Sequence, residues 1–401
     1  MKGAPEDVLR HSTLRRSVAG DIIAYRRVGP EQETAAVGDE DDLIFAGFVV
    51  FLDPPKESAS KAIAQLAVSG VAIKILTGDS EQVTRHVCRE LDLSTKGLLT
   101  GDELRQLSDE ALLARVRDVD LFCRVTPSQK QRVIMALKRR GAVVGFLGDG
   151  VNDAAALHAA DVGISVDSGA DVAKAAADLV LMQRDLTVIN EGVIEGRRTV
   201  KNVTKYILMG SSSNFGNMFS MAGAALFLPF LPMLPVQVLL NNLLYDVSEM
   251  GVPFDCVDTS ALARPVRWST TLIERFMLVF GPVSSLFDFL TFFVLLRLFG
   301  ADAAQFQTGW FVESLATQAL MVFVIRTRGA FWRSRPHPIL ATLSIGVVVV
   351  GLIVPWTPIG TWFGLVPLPF SFYLFLVAAV GGYLALVEVV KRLFYRYIAP
   401  R

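Results

Sequence analysis

A change of texture near residue 205 constrains this chain more than any other feature. Before it, charged and apolar residues alternate over short distances; after it, long apolar runs dominate. Crossing a bilayer takes roughly 20 mostly apolar residues in a helix. Six stretches qualify: 203–227, 233–252, 272–299, 309–325, 339–355 and 368–390. The expectation is a soluble domain fused to a membrane domain of six spans. The 52% hydrophobic content and mean hydropathy of +0.44 exceed a soluble average because of the second half.

Basic residues give an independent check on the spans. Arg264, Arg267 and Arg275 fall between spans two and three, and Arg326, Arg328, Arg333 and Arg335 between four and five. Lys391, Arg392, Arg396 and Arg401 follow span six, whereas 228–232, 300–308 and 356–367 hold no Lys or Arg. By the positive-inside rule both chain ends are expected in the cytoplasm. The opening Met1-Lys2-Gly3-Ala4-Pro5-Glu6 reads as no signal peptide. A formal net charge of zero argues against nucleic-acid binding. Cys88, Cys123 and Cys256 share no metal-like spacing and read as reduced thiols.

Polar residues inside the spans are costly and therefore informative. Asp246 lies deep in span two, where a carboxylate costs about 2.5–3.5 kcal/mol on the mildest scale. Asn242 is four residues earlier and shares its helical face. Asn214 and Asn217 in span one follow Ser211, Ser212 and Ser213. Amide and carboxylate oxygens converging from two helices suit a hard divalent cation, while hydrogen-bonded contact between helices accounts for Ser and Asn equally well. Asp288, Glu313 and Glu249 are further intramembrane carboxylates. Gly210, Gly216, Pro229, Pro232 and Pro235 interrupt the first two spans, as in the broken helices of transporters.

The soluble half alternates β-rich runs (43–52, 71–76, 121–125, 142–147, 162–166, 179–182) with helical ones (80–91, 127–140, 153–159). That alternation predicts a doubly wound parallel α/β sheet, with ligands beyond the carboxyl ends of the strands. Three motifs fall there. Thr77-Gly78-Asp79 offers a hydroxyl and backbone N–H groups to a phosphoryl oxygen, or forms a turn with a helix cap. Gly148-Asp149-Gly150-Val151-Asn152-Asp153 crowds oxygens into one turn, which suits Mg²⁺ and otherwise costs repulsion. Lys130 sits on the first turn of a helix begun by Pro127, where positive charge is unfavourable without an anionic partner.

Together these segments resemble the haloacid-dehalogenase-like phosphorylation domain of P-type ATPases. Lys2-Gly3-Ala4-Pro5-Glu6 looks like that family's nucleotide-domain motif, and Asp53-Pro54-Pro55-Lys56 its hinge motif. In the membrane half, Ser212 to Asn217, Phe230 to Leu234, Asn242 to Asp246 and Gly281 to Asp288 look like the bacterial magnesium-transporting P-type ATPases. The resemblance implies ATP-driven Mg²⁺ import through a phospho-aspartate, in a multi-pass protein of the bacterial plasma membrane, with ATP, Mg²⁺, the transported divalent cation and membrane lipid as its partners. It implies a remnant of the nucleotide domain at 1–42, a phosphorylation domain at 43–202 and the membrane domain at 203–401. On that mapping Asp149 and Asp153 hold the catalytic Mg²⁺, with Asn152 beside them. Thr77, Gly78, Asp79 and Lys130 serve the phosphoryl group, and Lys2, Asp53 and Lys56 the nucleotide side. Asn214, Asn217, Asn242 and Asp246 hold the transported ion.

Departures from the family pattern matter as much. No Asp-Lys-Thr-Gly-Thr segment occurs, and no actuator Thr-Gly-Glu motif. Ala155 stands where the family places proline, a change at a turn whose φ proline would fix. The expectation is the C-terminal part of a pump, inactive alone and completed by the N-terminal part. A regulatory or vestigial membrane protein that binds Mg²⁺ or nucleotide without turnover is the alternative.

Overall fold

The computed structural model describes residues 21–25, 44–49, 57–183, 185–258, 262–263, 265 and 269–399. Lys2, Asp53 and Lys56 lie outside them, as do Arg264 and Arg267. The chain divides into two compact units, Met1–Glu191 and Gly192–Arg401.

In the first unit, β1 (Asp21–Tyr25) pairs antiparallel with β2 (Ile44–Val49). The run at 43–52 therefore belongs to an antiparallel pair and not to the expected parallel sheet. Next come α1 (Glu57–Val68), β3 (Ile75–Leu76), α2 (Glu81–Glu90), β4 (Leu98–Thr100), α3 (Gly101–Gln106) and α4 (Asp109–Arg115). β5 (Leu121–Cys123), α5 (Pro127–Arg139), β6 (Gly145–Leu147), α6 (Ala154–Ala159), β7 (Val162–Val166), α7 (Asp171–Ala176) and β8 (Leu179–Leu181) follow. The parallel α/β pattern is as read from the sequence, but it forms two three-stranded sheets, β3-β5-β4 and β6-β7-β8.

Among the described residues, β3 and β6 each pair on one side only. What joins the halves is helix packing and ion pairs from α5, Lys138 with Asp161 at 3.0 Å among them. α5 packs on α6, and Lys130 Nζ on α5 lies 2.7 Å from Asp153 Oδ1 beside α6. α5 starts where it does because Thr126 and Gln129 form a capping box and Pro127 occupies the first turn. Its apolar side buries Val133 and Ala136 against Phe122, Val116, Leu112 and Leu104, and Ile134 is buried as well.

The second unit is helical. α8 (Thr187–Ala224) is one continuous 38-residue helix that begins just before the unit boundary. α9 (Pro235–Glu249), α10 (Thr270–Phe293), α11 (Ala303–Ile325), α12 (Pro338–Ile353), the short α13 (Pro358–Trp362) and α14 (Phe370–Leu393) follow. Four helical segments are long and apolar enough to cross a membrane: Thr270–Leu298, Ala303–Ile325, Pro338–Trp356 and Phe370–Ile398. α9 has only 15 residues, and α8 carries a charged first half, so neither stands with those four.

Helices approach closely where side chains are small. A Cβ on Gly216 of α8 would sit 3.1 Å from Gly281 O of α10, and one on Gly281 would sit 2.5 Å from Phe215 Cδ1. Ser285 Oγ donates to Gly216 O across that contact, at 3.0 Å. α11 is the hub, buried on almost every face.

Candidate phosphoryl and ion sites

β3 ends at Leu76, and the next three residues fold onto the end of β5. Thr77 N–H donates to Phe122 O, Val125 N–H to Thr77 O, and Arg124 N–H to Asp79 O, all at 2.9–3.0 Å. The Thr77 hydroxyl donates to Asp79 Oδ2 at 2.7 Å, and Asp79 N–H donates back to the hydroxyl at 3.1 Å. Thr77-Gly78-Asp79 is thus a closed turn, and the helix cap is Ser80. Arg124 adopts φ 52°, the left-handed region that a non-glycine residue rarely occupies. Sequence reasoning did not single out this position, and arginine carries no signal for left-handed backbone.

The second loop follows β6. Gly148 has no room for a side chain: a Cβ there would lie 2.7 Å from Asp153 Cβ and 2.9 Å from Phe146 Cε1. Asp153 is buried, pairs with Lys130 and accepts from Gly150 N–H at 3.3 Å. Asp149 and Asn152 are exposed, and Asp149 O accepts from Ala170 N–H at 2.8 Å. The positive charge on the first turn of α5 therefore finds its anionic partner in Asp153, within the protein. Three N–H donors on an ammonium leave Lys130 further protons for a phosphoryl oxygen.

The loop suits Mg²⁺ by its donor chemistry: an open Asp149 carboxylate beside an Asn152 amide, with Asp153 held one turn on. A magnesium ion asks for few carboxylates and takes its remaining oxygens from phosphate and water. Behind the β3 turn, burial pushes the Cys88 and Cys123 thiols up, which keeps them as unreactive thiols.

In the helical unit the expected ion residues separate. α9 turns Asn241, Tyr245, Ser248 and Glu249 inward and Leu239, Leu243 and Asp246 outward. Asn214 on α8 is exposed as well, and Asn242 is half-buried. Asn217 is half-buried and its Oδ1 accepts from Ser314 Oγ of α11 at 3.2 Å. Among the described residues the deepest carboxylates are Glu313, 0% exposed, and Asp288 and Asp255, each 1% exposed. Asp255, missed by sequence reasoning, is buried and bound by Arg326 Nη1 at 3.0 Å and Lys205 Nζ at 2.7 Å.

Residues 4–161 match the haloacid dehalogenase-like hydrolases, and residues 230–393 match the C-terminus of cation transporting ATPases. The chain is 48% identical over 363 residues to a magnesium-transporting ATPase, P-type 1, of Salmonella typhimurium, an alignment covering 89% of this chain. The Escherichia coli protein of the same name is 47% identical over 395 residues, 97% of this chain. The chain belongs to the P-type cation-transporting ATPases. A more distant P-type relative, a calcium-transporting ATPase of Bacillus subtilis, is 30% identical over 367 residues, covering 87% of this chain and 41% of its own length. This P-type ATPase chain spans 40–44% of the length of the magnesium-transporting relatives.

Proposed function

We propose that this chain is the C-terminal part of an ATP-driven pump that imports Mg²⁺ across the bacterial plasma membrane. The observation that carries this reading is the Lys130–Asp153 pair, which ties the first turn of α5 to the loop after β6, while the Thr77–Asp79 turn is bonded to the end of β5 just before α5. The names of the 47–48% identical relatives support the cargo.

In this reading Thr77 and the adjacent backbone N–H groups hold a phosphoryl oxygen, and Asp79 orients the Thr77 hydroxyl. Lys130 donates one hydrogen bond to Asp153 and directs another N–H at the phosphoryl group, offsetting negative charge as transfer proceeds. Asp149 and Asp153, with Asn152, hold the catalytic Mg²⁺, which supplies charge neutralisation at the phosphate oxygens. Lys2, Asp53 and Lys56 are assigned to the nucleotide by their motifs alone. The domain reading is a nucleotide-domain remnant at 1–42, a phosphorylation domain at 43–202 and six spans at 203–401, with both ends of the chain cytoplasmic.

The attacking aspartate comes from outside the 401 residues, since none of them forms an Asp-Lys-Thr-Gly-Thr segment. Asn214, Asn217, Asn242 and Asp246 bind the transported ion. Asn214 and Asp246 lie on the outer face of α8 and α9, so ligands from further membrane segments close that site.

Acid-quenched phosphoenzyme formation tests the reading. With γ-labelled ATP and Mg²⁺, the chain alone is expected to take no label. Label appears when the N-terminal part of a magnesium-transporting relative is supplied. An acid-stable, hydroxylamine-sensitive label on the chain alone would mean that one of its own aspartates is the nucleophile.

A further inference from the structure

Asp288 on α10 and Glu313 on α11 meet in the middle of the helical unit. Asp288 is fully served by donors: Ser220 Oγ of α8 gives to Oδ2 at 2.6 Å, and Trp310 Nε1 of α11 gives to Oδ1 at 2.8 Å. Glu313 has the opposite environment. It is 0% exposed, and among the described residues no N–H or O–H group donates to either of its carboxyl oxygens. The Asp288 carboxyl alone lies within hydrogen-bonding range of it.

Two carboxylates cannot hydrogen-bond each other, because neither has a proton to give. Two like charges buried in contact also repel strongly where water cannot screen them. The groups acting on the pair carry no compensating base. They are Ser220 from α8, Trp310 from α11 itself and Tyr383 from α14. Tyr383 is turned away, its hydroxyl directed at Met321 Sδ at 2.8 Å. The next acidic group, Glu249 on α9, keeps company with Tyr245 and Asp246 and brings no cation.

We propose that Asp288 and Glu313 form a proton-binding site inside the bundle, Glu313 carrying the proton and donating it to Asp288. The asymmetry of donors fixes the direction. Two hydrogen bonds from Ser220 and Trp310 favour the charged form of Asp288, while Glu313, with none, is the neutral acid. The pair then carries one negative charge, and Glu313 O–H···O Asp288 ties α11 to α10. This site uses none of the four residues proposed for the transported ion and does not depend on that assignment.

Infrared spectroscopy on the 401-residue chain in lipid nanodiscs tests the site without turnover. At pH 7 the parent is expected to show the carbonyl band of a protonated carboxyl group, shifted in D₂O. Glu249→Gln retains the band. Glu313→Gln, made in that Glu249→Gln background so that no other buried glutamic acid contributes, removes it. Should Glu313→Gln fail to fold, dicyclohexylcarbodiimide, which attacks protonated carboxyls, is expected to label Glu313 in the folded parent, as read by mass spectrometry. A parent without the band, a band that survives Glu313→Gln in folded protein, or label on Asp288 in place of Glu313 would overturn the proposal. So would one tightly bound metal ion per chain that is lost in Glu313→Gln, which would make the occupant of the pair a metal cation.

Discussion

At the scale of single residues, burial and partners set what each substitution should do. Asp255 is fully buried between Arg326 and Lys205, and His337 N–H adds a bond at 3.3 Å. Removing one partner from such a cluster strands buried charge, so Asp255→Ala should cost about 3–5 kcal/mol. Denaturant unfolding of the reconstituted chain, followed by tryptophan fluorescence, measures this. Asp161 illustrates a milder, pH-dependent contribution. Val144 N–H, donating to Oδ2 at 2.9 Å, holds its carboxyl below the usual carboxylate range, and Lys138 at 3.0 Å adds to this. A group whose folded value is depressed stabilises above its unfolded value, and that stability is lost as pH falls through the folded one. The contribution is therefore present at neutral pH and disappears below about pH 4. Asp161→Asn should lower the melting temperature more at pH 7 than at pH 3; equal losses at both would point to packing instead. Cys88, Cys123 and Cys256 show the limits of a sequence reading. Their spacing spoke only against a metal site, whereas burial accounts for the inertness of the first two.

At the scale of elements, long helices were the most legible part. The runs at 272–299, 309–325, 339–355 and 368–390 fall on Thr270–Leu298, Ala303–Ile325, Pro338–Trp356 and Phe370–Ile398, well short only of the start of the second and the end of the fourth, because sustained apolar sequence has few other outcomes. Strands were less legible. The run at 71–76 yields a ladder only at Ile75–Leu76, because β5 offers just Leu121 and Phe122 as partners. Val71 N–H is meanwhile committed to closing α1 through Leu66 O. Which face of a helix meets its neighbours was beyond sequence reach for α9. Asn242 and Asp246 were read as one face, but the inward residues are Asn241, Tyr245 and Ser248. Arg124 and the Asp153 partner of Lys130 depend on contacts over tens of residues or on one unusual dihedral angle, and neither leaves a local trace. Two glycines convert element geometry into predictions. Gly148→Ala should displace Asp153 from Lys130 and lower affinity for phosphate analogues at least several-fold, as titration calorimetry would read. Gly281→Leu should drive α8 and α10 apart, with a melting temperature several degrees lower.

At the scale of the whole molecule, the outward placement of Asn214 and Asp246 makes a prediction for the assembled pump. Asp246→Asn, introduced with the rest of the protein restored, should abolish Mg²⁺ uptake by cells while leaving the protein in the membrane; unchanged uptake would remove Asp246 from the ion path. The split sheet carries a different consequence, one of colloidal behaviour. Among the described residues β3 and β6 each leave one backbone edge unpaired, and the β6 edge is flanked by solvent-exposed Val143 and Leu147. Open edges beside apolar side chains recruit strands from other molecules. The brevity of both edges, two and three residues, limits how much foreign strand each can template. Concentrated or warmed samples should therefore self-associate through the first unit while the helical unit is still folded. A lysine at Leu147, placed where an incoming strand would have to lie, should delay the onset of turbidity.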